Sequence, residues 1–140
     1  RSSPSEPREL LDRLHCLPKV FVFDLDDTLW KGDVDMTSGP PFSLRRSSGL
    51  VASRAGDGVV PFPEVAGIFD LLEERGLCSA VASHTTEPRW AEAVLRIMRT
   101  GQNTSYLDVL TVLEMHGGSK KQHLRKIASM VGCKTQDMAW

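Results

Sequence analysis

The stretch Val20–Trp30, VFVFDLDDTLW, runs four apolar residues straight into three acids. Val20 to Phe23 are all β-branched or aromatic, the composition of a strand buried on both faces. Asp24, Asp26 and Asp27 then fall where that strand must end. Carboxylates this close repel one another and lose hydration wherever they are partly buried, so a cation should compensate them. Asp24 and Asp26 can converge on one ion in the tight turn after the strand. A hard divalent cation with oxygen ligands, Mg2+ above all, meets that need. A calcium loop does not fit: counting from Asp24, Leu29 stands where an EF-hand needs Gly and Asp35 where it needs Glu.

Downstream, residues 31–62 (KGDVDMTSGPPFSLRRSSGLVASRAGDGVVPF) are rich in Gly, Ser and Pro and show no helical period. A structureless loop of that length is unusual in a compact domain. A small cap-like insertion of short hairpins is expected instead, turned by Ser38-Gly39-Pro40-Pro41 and by Asp57-Gly58, with Trp30 packed beneath it. A regular alternation follows. Pro63–Arg75 reads as a helix with Val65, Ile68, Phe69, Leu71 and Leu72 inward, stopped by Gly76. Residues 77–82 (LCSAVA) read as a strand, Glu87-Pro88 to about Gly101 as a helix, and 108–115 (DVLTVLEM) as a strand. Ser119–Val131 reads as a helix with Leu124, Ile127, Ala128 and Val131 inward, stopped by Gly132, and DMAW opens a fourth strand. Residues 1–17 form an N-terminal extension: Leu10, Leu11, Leu14 and Leu17 have helical spacing, with Ser5 as cap and Pro7 in the first turn.

Alternating strands and helices predict an α/β fold with a parallel sheet, and functional groups gather at the carboxyl ends of such strands. Those ends hold Asp24 and Asp26, then Ser83, His84 and Thr85, then Gly117-Gly118-Ser119-Lys120. Hydroxyls like Ser83 and Thr85 cap helices, and the same place makes an anion site. Lys120 and Lys121 oppose the dipole of the helix they open, which suits either solvated lysines or an ammonium held over a phosphate and the acid cluster. His84 is a site candidate, whereas His116 and His123 show no ligand spacing and receive no role.

The remaining composition is ordinary: 140 residues, 41% hydrophobic, 25% charged and a net charge of -1. Neither a nucleic-acid partner nor a membrane is indicated, and no run reaches transmembrane length. Three scattered cysteines form no CxxC and point to a reducing, cytoplasmic setting. The chain opens at Arg1 rather than Met, as a fragment or processed chain would.

FDLDDTLW, a small-residue strand ending in Ser83, and a later Gly-Ser-Lys resemble motifs one to three of the haloacid dehalogenase (HAD) superfamily. PKVFVFDLDDTLW, PPF, FPEV, AVASHTTEP and GGSKKQHL resemble more closely its eukaryotic magnesium-dependent phosphatase family, over residues 18–140. The resemblance implies a Rossmann-like fold that hydrolyses phosphomonoesters, on a phosphorylated small molecule or a phosphoprotein, through an aspartyl-phosphate. It implies Asp24 as nucleophile, Asp26 as acid and then base, Mg2+ held by Asp24 and by the Asp26 carbonyl, and phosphate bound by Ser83, His84 and Lys120. Where the family has Arg after the motif-two Ser, this chain has His84, so that contact is weaker and pH-dependent. The family's fourth strand ends in an acidic pair that this sequence does not reach before Trp140. The resemblance therefore implies a HAD-like domain truncated at its C-terminus, and leaves two readings: a phosphatase, or a catalytically dead binding or regulatory module. It also implies that β-strand Val20–Phe23 is exposed along the side the fourth strand would cover. A receiver-type phosphoacceptor fits less well, because its acceptor Asp follows the third strand, where this chain has Glu114-Met115-His116.

Overall fold

In the computed structural model the described residues are 20–116, 119–131 and 138–139. The expected N-terminal helix with its cap, the Gly117-Gly118 turn, the Gly132 stop and Asp137 lie outside them.

β1 (Val20–Phe23) lies at the centre of a parallel sheet. Its neighbours are β6 (Cys78–Ser83) on one side and β8 (Met138–Ala139) on the other, and β7 (Val112–Met115) lies beyond β6. The register pairs Val20 with Cys78 and Phe23 with Val81, which brings the ends of β1 and β6 to one level. β8 pairs alongside Val20 and Phe21. This start of a fourth strand corrects the expectation of an exposed β1 for its first half, Val20 and Phe21.

The alternation along β1 explains why its apolar run is unbroken. Val20 and Val22 pack with Ala80, Ala82, Val112 and Ile127 on one face. Phe21 and Phe23 join the larger cluster on the other, where Phe69 stacks at 5.4 Å from Phe23 and 4.6 Å from Tyr106. Both faces are covered by helices, as a parallel sheet requires.

Those helices are α1 (Pro63–Glu74), α2 (Pro88–Ile97), the single turn α3 (Tyr106–Val109) and α4 (Lys120–Val131). α1 starts with Pro at its first position and ends on Gly76 at φ +64°, with Leu77 N–H donating to Leu72 O and Gly76 N–H to Glu73 O. That pair of bonds is the Schellman stop that a left-handed glycine permits. α2 ends at Ile97, before Gly101: Met98 is extended, and in the loop beyond it the Asp70 carboxylate accepts from the Gly101 and Gln102 N–H groups at 2.9 and 3.0 Å. The expected strand over 108–115 is shorter: Asp108 and Val109 belong to the helical turn α3. Ser105 caps α3 by accepting from Asp108 N–H, and only Val112–Met115 is extended. An apolar run with Val and Leu serves either state, and the serine before it decides.

The insertion is a second, antiparallel sheet in the order β2 (Trp30–Lys31), β5 (Gly58–Pro61), β4 (Leu50–Ala52), β3 (Ser43–Arg45). Its hairpin turns fall at 46–49 and 53–57; Asp57 closes the second, and Gly58 lies inside β5. A Cβ on Gly58 would sit 1.9 Å from the Val51 carbonyl oxygen, so the strand there accepts only glycine. The Pro40-Pro41 peptide is cis. Gly39 and Phe42 rest on the Trp90 ring of α2, and Trp30, 0% exposed, fills the space beneath the insertion as expected.

Candidate active site

The chain leaves β1 at Asp24, whose Oδ1 accepts from the Leu25 N–H at 2.8 Å. A tight turn follows. Thr28 and Leu29 N–H groups both donate to Leu25 O, and Leu25 and Leu29 are buried beneath it. Asp27 takes φ +60°, a left-handed conformation that Asp tolerates better than most residues. Its carboxylate turns toward the insertion and accepts from Gly32 N–H.

Asp26 is held differently. Its Oδ1 accepts from the Trp30 indole N–H at 2.8 Å and from the Val34 N–H at 3.2 Å. Burial pushes its pKa up, the two hydrogen bonds oppose that, and the negative charges of Asp33 and Asp35 add to the rise. The net direction is upward, toward a carboxyl that keeps its proton longer than an exposed aspartate does.

Lys120, at the start of α4, brings the cation. Its Nζ donates to Ala82 O at 2.6 Å and lies 3.8 Å from Asp24 Oδ2. The Asp24 side chain is 48% exposed and that of Lys120 25%, so the pair is reachable from solvent. The acid cluster is thus met by a cation from within the chain on the Asp24 side. Ser83, buried at the end of β6, accepts from Thr85 N–H at 3.2 Å, which fixes its hydroxyl at the edge of the same pocket. Thr85 is not a side-chain cap of α2, since the cap position is Glu87; its hydroxyl accepts from Glu87 N–H at 3.1 Å.

Asp35 is the residue that the sequence did not reveal. It reaches from the insertion to accept from the Thr85 hydroxyl and, at 2.8 and 2.9 Å, from the Thr86 N–H and hydroxyl. Burial works against its charge, but these bonds outweigh it and hold its pKa below the ordinary value. A pocket of about 240 Å³ results, lined by Asp24, Asp26, Asp33, Asp35, Ser83, His84 and Thr85. Every lining side chain except His84 offers oxygen, a donor set that fits a hard divalent cation and a poor one for softer metals.

His84 faces this pocket and is exposed. Behind it stand the two histidines to which sequence gave no role. The ring of His123, 0% exposed, lies 5.0 Å from His84 and 4.5 Å from His116. The His123 Nε2–H donates to His116 O at 3.0 Å, and burial lowers the pKa of the ring. His116 in turn donates to Glu114 at 2.8 Å. A signal existed: Lys120, His123 and Ile127 recur at helical spacing, which puts all three on the face of α4 that meets the sheet.

A parallel α/β sheet with paired aspartates leaving its central strand, a serine at the next strand end and a lysine opening a later helix is the arrangement that the resemblance to the HAD superfamily implied. A profile of the family described as Acid Phosphatase matches residues 16–140, and the chain belongs to that family. It is 34% identical over 122 residues to human "Magnesium-dependent phosphatase 1", covering 87% of this chain and 65% of that protein. It is 28% identical over 127 residues to a HAD-like hydrolase superfamily protein of Schizosaccharomyces pombe, covering 88% of this chain and 74% of that one. Among solved structures it resembles the N-terminal part of a Bacteroides fragilis protein containing a phosphatase domain complexed with Mg, at TM-score 0.55 and 19% identity. That likeness covers 95% of this chain and 32% of the other, and it concerns the fold.

Proposed function

We propose that this chain hydrolyses phosphomonoesters with the help of Mg2+, through a phosphoryl group carried on Asp24. The observation that carries the reading is the meeting of Asp24, which lines one pocket with Ser83, with Lys120 at 3.8 Å. The name of the human relative, a magnesium-dependent phosphatase, supports the same reaction and metal.

The Asp24 carboxylate and the Asp26 backbone carbonyl would hold Mg2+, whose charge lets a carboxylate approach a phosphate dianion. An Asp24 oxygen attacks phosphorus as the ester P–O bond breaks, and Asp26 gives its proton to the departing alcohol. Both donors to Asp26 fall on Oδ1, so Oδ2 is the oxygen that carries this proton. Asp26, now ionised, takes a proton from water as that water attacks the aspartyl-phosphate. Phosphate leaves, and Asp24 and Asp26 regain their starting states. Splitting the displacement in two lowers each barrier. The Lys120 ammonium and the Ser83 hydroxyl bind the phosphoryl oxygens, and the His84 ring adds a further contact. The substrate class is a phosphorylated small molecule or a phosphoprotein.

Hydrolysis of p-nitrophenyl phosphate, with Mg2+ and with EDTA, tests this. Activity should require the metal, and Asp24→Asn should lower kcat by about 10³-fold or more with its circular dichroism unchanged. Full activity in EDTA, or normal turnover by Asp24→Asn, overturns the mechanism. Phosphate binding without any hydrolysis would favour a binding module.

A further inference from the structure

A second open feature lies away from the aspartates. A groove of about 900 Å³ runs between the insertion's outer strand β3 and the end of α2, lined by Leu44, Arg46, Gly49, Arg96, Ile97 and Arg99. Leu44 pairs across the sheet with Val51, which is buried in the core, so both side chains share the face turned toward the α/β body. At the sheet's edge, however, Leu44 stays 41% exposed and, with half-buried Ile97, gives the groove an apolar floor.

Three guanidinium groups surround that floor, and among the described residues no carboxylate lines it. Arg96 has one partner, Glu92 at 3.6 Å on its own helix, while Arg46 and Arg99 have no ion pair among the described residues. β3 is the terminal strand of its sheet, with no partner on its outer side among the described residues. An edge strand offers main-chain groups to an extended segment, and arginine forks recognise carboxylates.

We propose that this groove docks an extended acidic peptide segment of a phosphoprotein substrate, carboxylates on the arginines and an apolar side chain on Leu44 and Ile97. The role as substrate dock rests on the phosphatase reading above; the binding itself does not. The size supports a peptide over a small anion, since the groove is several times the volume of the aspartate pocket. Single-stranded nucleic acid fits less well, because no aromatic ring among the described residues lines the groove for bases to stack on.

Fluorescence anisotropy with an unphosphorylated, labelled peptide carrying alternating glutamate and leucine reads the groove without any turnover. The peptide should bind, more weakly as salt rises, and a lysine-for-glutamate peptide should not. Arg46→Glu with Arg99→Glu should weaken binding about tenfold while hydrolysis of p-nitrophenyl phosphate is unchanged. Equal binding by the double variant, or tighter binding by an oligouridylate of equal charge, overturns the proposal. If the peptide binds but no phosphate ester is hydrolysed, the groove stands and the phosphatase reading falls.

Discussion

The carboxyl end of the parallel sheet and the open edge of the insertion differ in sign and in how they are assembled. The first gathers carboxylates whose geometry is fixed: Asp26 by an indole and a backbone N–H, Asp35 by two threonines. The second gathers guanidinium groups, two of them without an ion pair among the described residues, over a shallow apolar floor. Hydrogen bonds that hold a charge in place cost its freedom and prepare it for chemistry at one point. Charges left loose around a groove suit an extended partner whose details vary. The contrast implies that substitutions at one region should leave the other unmoved.

Three measurements bear on that separation. The largest effect is expected from Lys120→Met, which keeps the stem and removes the charge beside Asp24. kcat/KM for p-nitrophenyl phosphate should fall about 10²-fold, with peptide affinity at the arginine groove unaltered. A matching loss in peptide affinity would join the two regions into one site.

Asp35→Ala should come next. It leaves the Thr85 and Thr86 groups to find water, costing about 1–3 kcal/mol in thermal unfolding. KM should also rise, because Asp35 holds Thr85 and Thr86 in the loop that follows Ser83 and carries His84. If stability falls with KM unchanged, Asp35 serves the fold alone.

The smallest effect concerns Asp26, measured with EDTA present. Its pKa is raised in the folded chain above an ordinary value of 3.8, so its contribution to stability is fully present below that value and is lost as pH rises through the raised pKa. Asp26→Asn, always neutral, should therefore melt slightly higher than the parent at pH 7 and at the same temperature near pH 4. A constant difference across that range would mean that burial of the charge is not the cause.

How much of this was legible follows from where the information sits. β1, its two aspartates and the turn after them are one continuous stretch, so local composition revealed strand, strand end and acids together. Ser83 and Lys120 were placed by the alternation of strands and helices, since each falls at an element boundary at the same end of the sheet. Asp35 was not legible, because its partners lie at 85 and 86 and only the folded insertion brings them together. The arginine groove shares that property, joining residues 44–49 to 96–99 across two sheets' worth of packing. The turn at 53–57 escaped for another reason. Asp57-Gly58 has hairpin composition, yet this glycine is required by the close approach of the Val51 carbonyl within the strand.

The indole bond to Asp26 has a consequence for observing the protein at all. Trp30 is fully enclosed, whereas Trp90 is only partly covered, so their fluorescence differs in environment. The Trp30 N–H touches the carboxyl group that loses and regains a proton in the proposed cycle. Each change of charge on Asp26 alters the field along that indole, and its emission colour follows. The chain thus carries its own label at the acid, readable during turnover without any added dye.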